Sequence, residues 1–183
     1  MTRLELWNGD ICVLEVDAIV NPAGPSLWMS TGVGGALKRA GGDEIEFAAV
    51  RQGPLAIGSA VVTPAGRLAA KTVIHAVSLD HDRRTTAEAI ATAVRSAMAR
   101  AREIGATSIA FPALGTGVGG FPHAEAADVV VRTLREELVD PGSLVQVVLA
   151  LRGSASYQAF QRALAGTTVM AGMPESGTPA MST

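Results

Sequence analysis

At 183 residues, with 48% hydrophobic and 17% charged positions, the chain has the composition of one folded domain with its own core, and not that of a disordered segment. The formal net charge of -2, without any basic run, excludes the electrostatic footprint of a dedicated nucleic-acid binder. A single cysteine, Cys12, excludes an internal disulfide and a cysteine-based zinc cluster, and no apolar run is long enough to span a bilayer, so a reducing, cytoplasmic setting is expected.

Leu4-Glu5-Leu6-Trp7 alternates as an opening strand, and Asn8-Gly9-Asp10 is a turn signal. Ile11–Val16 and Ala18–Val20 continue as apolar runs. Asn21–Ser26, with two prolines and a glycine, is expected to be a loop because those residues resist regular pairing. Ser30–Gly35 is a glycine-rich segment leading into a short helix over Ala36–Ala40, which Gly41-Gly42 would end. Asp43–Gln52 fits a helix with Asp43 as its N-cap. Ser59–Thr63 and Thr72–Val77 are strand candidates, separated by a turn and followed by the charged loop Asp80–Arg84. Thr86–Ile104, rich in alanine and closed by Gly105, is the strongest helix signal.

Thr107–Phe111 is a short apolar strand that breaks into Gly115-Thr116-Gly117-Val118-Gly119-Gly120. Pro122 then suits a helix start, and Ala124–Leu138 forms the helix. Strand, glycine loop and helix start make an anion cradle. Glycines let backbone N–H groups turn inward and approach a phosphate, and the helix N-terminus adds partial positive charge. Two such glycine segments, each opening a helix, suit a ligand with two phosphates. Leu144–Leu151 is an inner strand and Tyr157–Leu164 a closing amphipathic helix. Residues 1–165 form one domain on this pattern, and 166–183 lack periodicity and are expected to be a flexible tail. Alternating strands and helices predict a three-layer α/β/α sandwich with a mixed, largely parallel sheet, whose ligands sit beyond the carboxyl ends of the strands.

Several separated segments, in order, resemble one family. Gly9-Asp10-Ile11, Val16–Ala23, Gly32-Val33 with Gly35-Ala36, Val73-Ile74-His75, and Phe111-Pro112 with Gly115–Pro122 are similar to the motifs of macro domains. The resemblance spans roughly Leu4–Leu164 and implies ADP-ribose recognition. It implies that Asp10, with Ile11 beside it, accepts a hydrogen bond from the adenine amino group, and that Asn21 lies near the distal ribose. It also implies that Gly32, Val33 and Gly35 line one phosphate loop, while Gly115, Thr116, Gly117, Val118 and Gly119 line the other. Arg152 stands where the family places an adenine-stacking aromatic, and a guanidinium also stacks on a base.

The departures concern chemistry. Hydrolytic members resembling this chain read Asn-Ala-Ala-Asn in the first loop and place an aspartate after a glycine triplet and an aromatic residue in the second loop. Gly24, Gly34 and Gly119 occupy those positions here. One reading is an ADP-ribose reader module that keeps the cradle without catalysis. The other is an enzyme in which the three glycines open the distal-ribose end. Water held between Asn21 and phosphate oxygens then attacks, and the substrate supplies the base. An ester to Asp or Glu has a good carboxylate leaving group, whereas an arginine N-glycoside needs a proton donor that the sequence does not offer. The expected activity is removal of mono-ADP-ribose from acidic residues of modified proteins, with no cofactor, no metal and a monomeric state.

A nicotinamide-dependent dehydrogenase is a rival raised by Gly115-x-Gly117-x-x-Gly120, but that fingerprint normally follows the first strand. Single-stranded nucleic-acid binding is disfavoured by the acidic balance and by aromatics at only 4% of positions. His75, within an apolar strand, fits a core histidine, and Cys12 a buried apolar thiol. His81, Asp82 and His123 are too scattered for a metal site. Leu27-Trp28-Met29 fits either a lid over the cleft or core.

Overall fold

The computed structural model describes residues 1–166; the expected tail lies outside them beyond its first residue, Gly166. Six strands, β1 (Arg3–Asn8), β2 (Ala18–Ala23), β3 (Ala60–Pro64), β4 (Thr72–Val77), β5 (Ser108–Phe111) and β6 (Gln146–Leu151), form one sheet in the order β1-β6-β5-β2-β4-β3. All neighbours are parallel except β3, which runs antiparallel to β4. The helices are α1 (Gly32–Gly41), α2 (Asp43–Val50), α3 (Ala87–Glu103), α4 (His123–Glu137) and α5 (Ser154–Gly166). The predicted three-layer sandwich with a mixed, largely parallel sheet is the observed one. Among the described residues no helix is long and apolar enough to cross a membrane.

Alternate side chains of each strand divide between two cores, as the two-residue period of a strand requires. Val20, Ile74, Ile109, Val147 and Leu149 pack under α3, α4 and α5. Ile19, Val73, Ala110, Val148 and Ala150 pack on the opposite face, with Leu37 of α1, Ile45 of α2 and the Ile11–Cys12 turn. Helix α3 buries Ala89, Ile90, Ala93, Val94, Ala97, Met98 and Ala101, a three-and-four spacing whose alanines bring its axis close to the sheet. Thr86 caps it, accepting the Ala89 N–H at 3.1 Å.

Three expectations differ from the structure. Asn21-Pro22-Ala23 is not loop but the end of β2, registered with His75-Ala76-Val77 of β4. The Ala23 carbonyl accepts the Ser78 N–H on the β4 side, which turns the Pro22 nitrogen toward β5. There β2 is already unpaired, because its ladder with β5 ends at Ile19 and Ala110, so the missing donor costs nothing. Gly32–Gly35 is likewise not loop but the first turn of α1. The N-cap of α2 is Gly42, and Asp43 instead puts negative charge in the first turn. Within the apolar run that begins at Ile11, Ile11–Val13 forms a 3-10 turn, because Asp10 Oδ1 accepts the Cys12 N–H at 3.0 Å and curls the chain.

Candidate functional site

The carboxyl ends of β5, β2 and β4 project three loops over the face covered by α1 and α2. Between them lies a cavity of about 350 Å³. Its lining includes Asn21, Gly32, Val33, Gly115, Gly117, Val118 and Gly119 of the expected site residues, together with Gly24 and Gly34. The two glycine segments therefore face each other: a Cβ built on Gly32 would lie 3.8 Å from Val118 Cγ2.

The backbone groups left over by folding define what this space accepts. In the β5–α4 loop the Thr116 N–H bonds back to Ala113, the Gly120 N–H to Gly117 and the Phe121 N–H to Gly115. The amides of Gly117, Val118 and Gly119 have no acceptor among the described residues. Across the cleft, Thr31 gives α1 no side-chain cap, and the Gly32, Val33 and Gly34 amides are also without acceptors among the described residues. Two sets of three free donors, one at the positive end of a helix dipole, form a cradle for a dianion. Thr116 itself contributes no free donor: its N–H and its hydroxyl both donate to the Ala113 carbonyl, at 3.4 and 2.9 Å.

At the cavity floor Asn21 is 2% exposed. Its Nδ2 donates to His75 Nδ1 at 3.1 Å, and His75 Nε2 meets Thr63 Oγ1 at 2.8 Å. Asn21 Oδ1 is buried without a partner among the described residues. A Cβ on Gly34 would lie 3.1 Å from that oxygen, so the glycine is what leaves it room. Burial pushes the His75 imidazole down to about 4 and keeps it neutral; it is the core histidine expected.

The remaining expected residues lie elsewhere. Asp10, Ile11 and Arg152 sit at the ends of β1 and β6, outside the cavity lining. Asp10 is exposed and uses Oδ1 on the Cys12 N–H; that bond, with the Arg152 charge, holds its carboxyl below the usual range. Burial and the neighbouring Asp10 push the Cys12 thiol up to about 11, which removes it as a nucleophile. Gly35 is buried in α1 and lines no part of the cavity, while Thr116 flanks it. Among the described residues no cluster of His, Cys, Asp and Glu could hold a metal ion; His81 lines the cavity, but His123 bonds Ser156 at 2.9 Å.

The Leu27-Trp28-Met29 alternatives resolve into both. Leu27, in left-handed backbone at φ 64, reverses the chain so that it and Met29 enter the core at 0% and 2% exposure, while Trp28 stays 58% exposed on the cavity wall. The Met29 N–H is held at 2.7 Å by the buried Glu46 of α2. Leu79, Asp80 and Arg83, after β4, complete the far wall. Sequence reasoning did not assign these to the site because only the β2–β4 pairing brings their loop beside Asn21. Of the three glycines expected to open this end, Gly24 has room: a Cβ there would meet only the Asp80 carbonyl, at 4.0 Å. Gly119 is packed: a Cβ there would meet the Gly115 carbonyl at 2.8 Å and Thr85 at 3.0 Å.

The profile of the macro domain family matches residues 20–130, which contain both glycine segments. An uncharacterised Mycobacterium tuberculosis protein is 40% identical over 164 residues, covering 90% of this chain and 45% of its own length, so the chain spans about half of that relative. A Salmonella gallinarum protein named O-acetyl-ADP-ribose deacetylase is 45% identical over 144 residues, covering 74% of this chain and 79% of its own. An Oceanobacillus iheyensis macrodomain solved with ADP superposes with a TM-score of 0.82 at 28% identity, covering 91% of this chain and 92% of that one. The sheet order is also not that of a dinucleotide-binding dehydrogenase, which sets that rival aside. Fold, cleft and sequence profile agree: the chain belongs to the macro domain family.

Proposed function

We propose that the cleft binds ADP-ribose and that the chain hydrolyses esters carried on the distal ribose. The observation that carries this reading is the pair of facing amide triplets, Gly32–Gly34 and Gly117–Gly119, with the unpartnered Asn21 Oδ1 beside them. The diphosphate takes the amides, the adenine extends toward Asp10 and Arg152, and the distal ribose lies at Asn21 beneath the open side of Gly24. A relative that acts on an acetyl ester of ADP-ribose, by its name, supports ester chemistry in this family.

The carboxylate in the cavity lining, Asp80, is already engaged, its Oδ1 accepting the Asp82 and Arg84 N–H groups at 2.9 and 2.8 Å, so in this reading the base comes from the substrate. With a glutamyl or aspartyl ester, water between Asn21 and a phosphate oxygen attacks the anomeric carbon. The bond to the carboxylate oxygen breaks, the carboxylate leaves with its electron pair, and the water proton passes to the phosphate oxygen. An arginine-linked glycoside lacks such a leaving group and is not cleaved.

The test is release of ADP-ribose from glutamate-modified protein, with arginine-modified protein and O-acetyl-ADP-ribose alongside. Release from glutamate but not arginine is expected. Cleavage of the acetyl ester alone narrows the substrate to small acyl groups. Binding of ADP-ribose with no turnover of any substrate makes the chain a reader, a reading favoured by glycine at positions 24 and 34.

A further inference from the structure

We propose that His75 is a positioning residue: clamped by Thr63, it orients the Asn21 carboxamide so that its oxygen, and not its amino group, faces the ligand. This rests on the reading of the cleft as an ADP-ribose site.

Three adjacent strands place the groups in one row. Asn21 of β2 is registered directly with His75 of β4, and Thr63 of β3 lies diagonally across the antiparallel ladder, two positions from the residue opposite His75. All three point to the side of Ile19 and Val73, toward α1 and α2. They are 2%, 0% and 2% exposed, so no solvent competes for their hydrogen bonds. Both ring nitrogens are engaged, at 3.1 Å by Asn21 and at 2.8 Å by Thr63. A neutral imidazole has one N–H and one lone pair. With Nε2–H donated to Thr63 Oγ1, Nδ1 is left to accept from Asn21 Nδ2, and Oδ1 is turned away from the ring as the buried atom without a partner.

The alternative tautomer has a different consequence. An Nδ1–H would call for a carboxamide oxygen, so Asn21 would rotate and present two donors to the cleft. A lone acceptor beside Gly34 selects a hydroxyl or a water as its partner; a donor pair would select phosphate or acyl oxygen. The ring is held neutral by burial over the neutral pH range, so its tautomer, not its charge, sets the polarity of the floor.

Affinities for ADP and ADP-ribose separate the cradle from the distal-ribose end, because ADP lacks that sugar. In His75→Phe and Thr63→Val, ADP affinity is expected to stay within about threefold, while the preference for ADP-ribose over ADP falls about tenfold. His75→Gln, whose amide can accept from Asn21 and donate to Thr63, is expected to recover most of that preference. Thr63→Val changes few atoms and covers the case in which His75→Phe does not fold. The imidazole nitrogen shifts of the wild-type protein should show a bare Nδ1 and a protonated Nε2. An unchanged ligand preference in both variants, or an Nδ1–H tautomer, overturns the inference while leaving the binding site standing. A wild-type protein that binds neither ligand overturns the reading of the cleft, and the inference with it.

Discussion

A few glycines in this site have different physical reasons to be glycine. Gly115 lies at φ 81 with Ile90 Cδ1 2.7 Å from where a Cβ would be, so both its backbone and its neighbour forbid a side chain. At Gly117 a Cβ would meet nothing within 4 Å. These positions therefore separate loss of binding from loss of fold. Gly117→Glu places a carboxylate beside the amides that would take phosphate, and ADP affinity is expected to fall by at least about tenfold through like-charge repulsion. The thermal midpoint should not change. Gly119→Glu, whose Cβ collides with the Gly115 carbonyl, is expected to lose both affinity and stability. Calorimetric titration with ADP and thermal unfolding of the two variants check this; wild-type affinity in Gly117→Glu would exclude the 117–119 amides as the cradle.

Among the elements, α2 has a task that its sequence conceals. Glu46 is 3% exposed on a short helix that contributes nothing to the cavity lining. Its carboxylate accepts the Met29 N–H at 2.7 Å and the Lys38 ammonium at 2.7 Å, joining the Trp28 loop, α1 and α2 at one point. The loop that forms one wall of the cleft is thus anchored from behind. Glu46→Ala removes a charged acceptor from a buried amide and should destabilise the protein by about 2 kcal/mol, lowering the thermal midpoint by about 5 °C. ADP affinity should weaken as well, since the Thr31–Gly34 turn follows that loop directly. Denaturant unfolding at pH 7, with the ADP titration repeated, measures both effects.

For the whole molecule, one buried group and one half-buried carboxylate set how stability depends on pH, in different windows. Folded His75 takes up a proton only near pH 4, while an unfolded histidine does so near 6.5. Between those values the unfolded chain binds more protons, so stability falls as pH is lowered from about 6.5 to about 4. Asp17 behaves later. Hydrogen bonds from Lys71 and Thr107 hold its carboxyl well below the usual carboxylate range at the amino end of the sheet. Its contribution is present above the unfolded value and is lost only as pH drops below about 4. The His75 part amounts to about 2 kcal/mol between pH 7 and pH 5. Urea midpoints at those two pH values should show it, and His75→Gln should flatten the difference.

The amino-acid sequence by itself determined the alternation of strands and helices, the layering, both glycine segments and the family motifs, because these rest on local periodicity and on residues adjacent along the chain. Helix α3 and strand β6 were legible for that reason. The strand character of Asn21-Pro22-Ala23 was not: whether a proline can sit in a strand depends on which neighbour ends where, and β5 ends first. Tertiary structure alone decided that β2 lies between β5 and β4, which brings the 26–34, 79–83 and 113–119 segments around one cavity. It also decided which amides remain without acceptors and that Asn21, His75 and Thr63 stand in a row. For that row, hydrogen-bond satisfaction is a property of the packed chain, since Asn21 and Thr63 lie 54 and 12 residues from His75 and only strand order places them within reach.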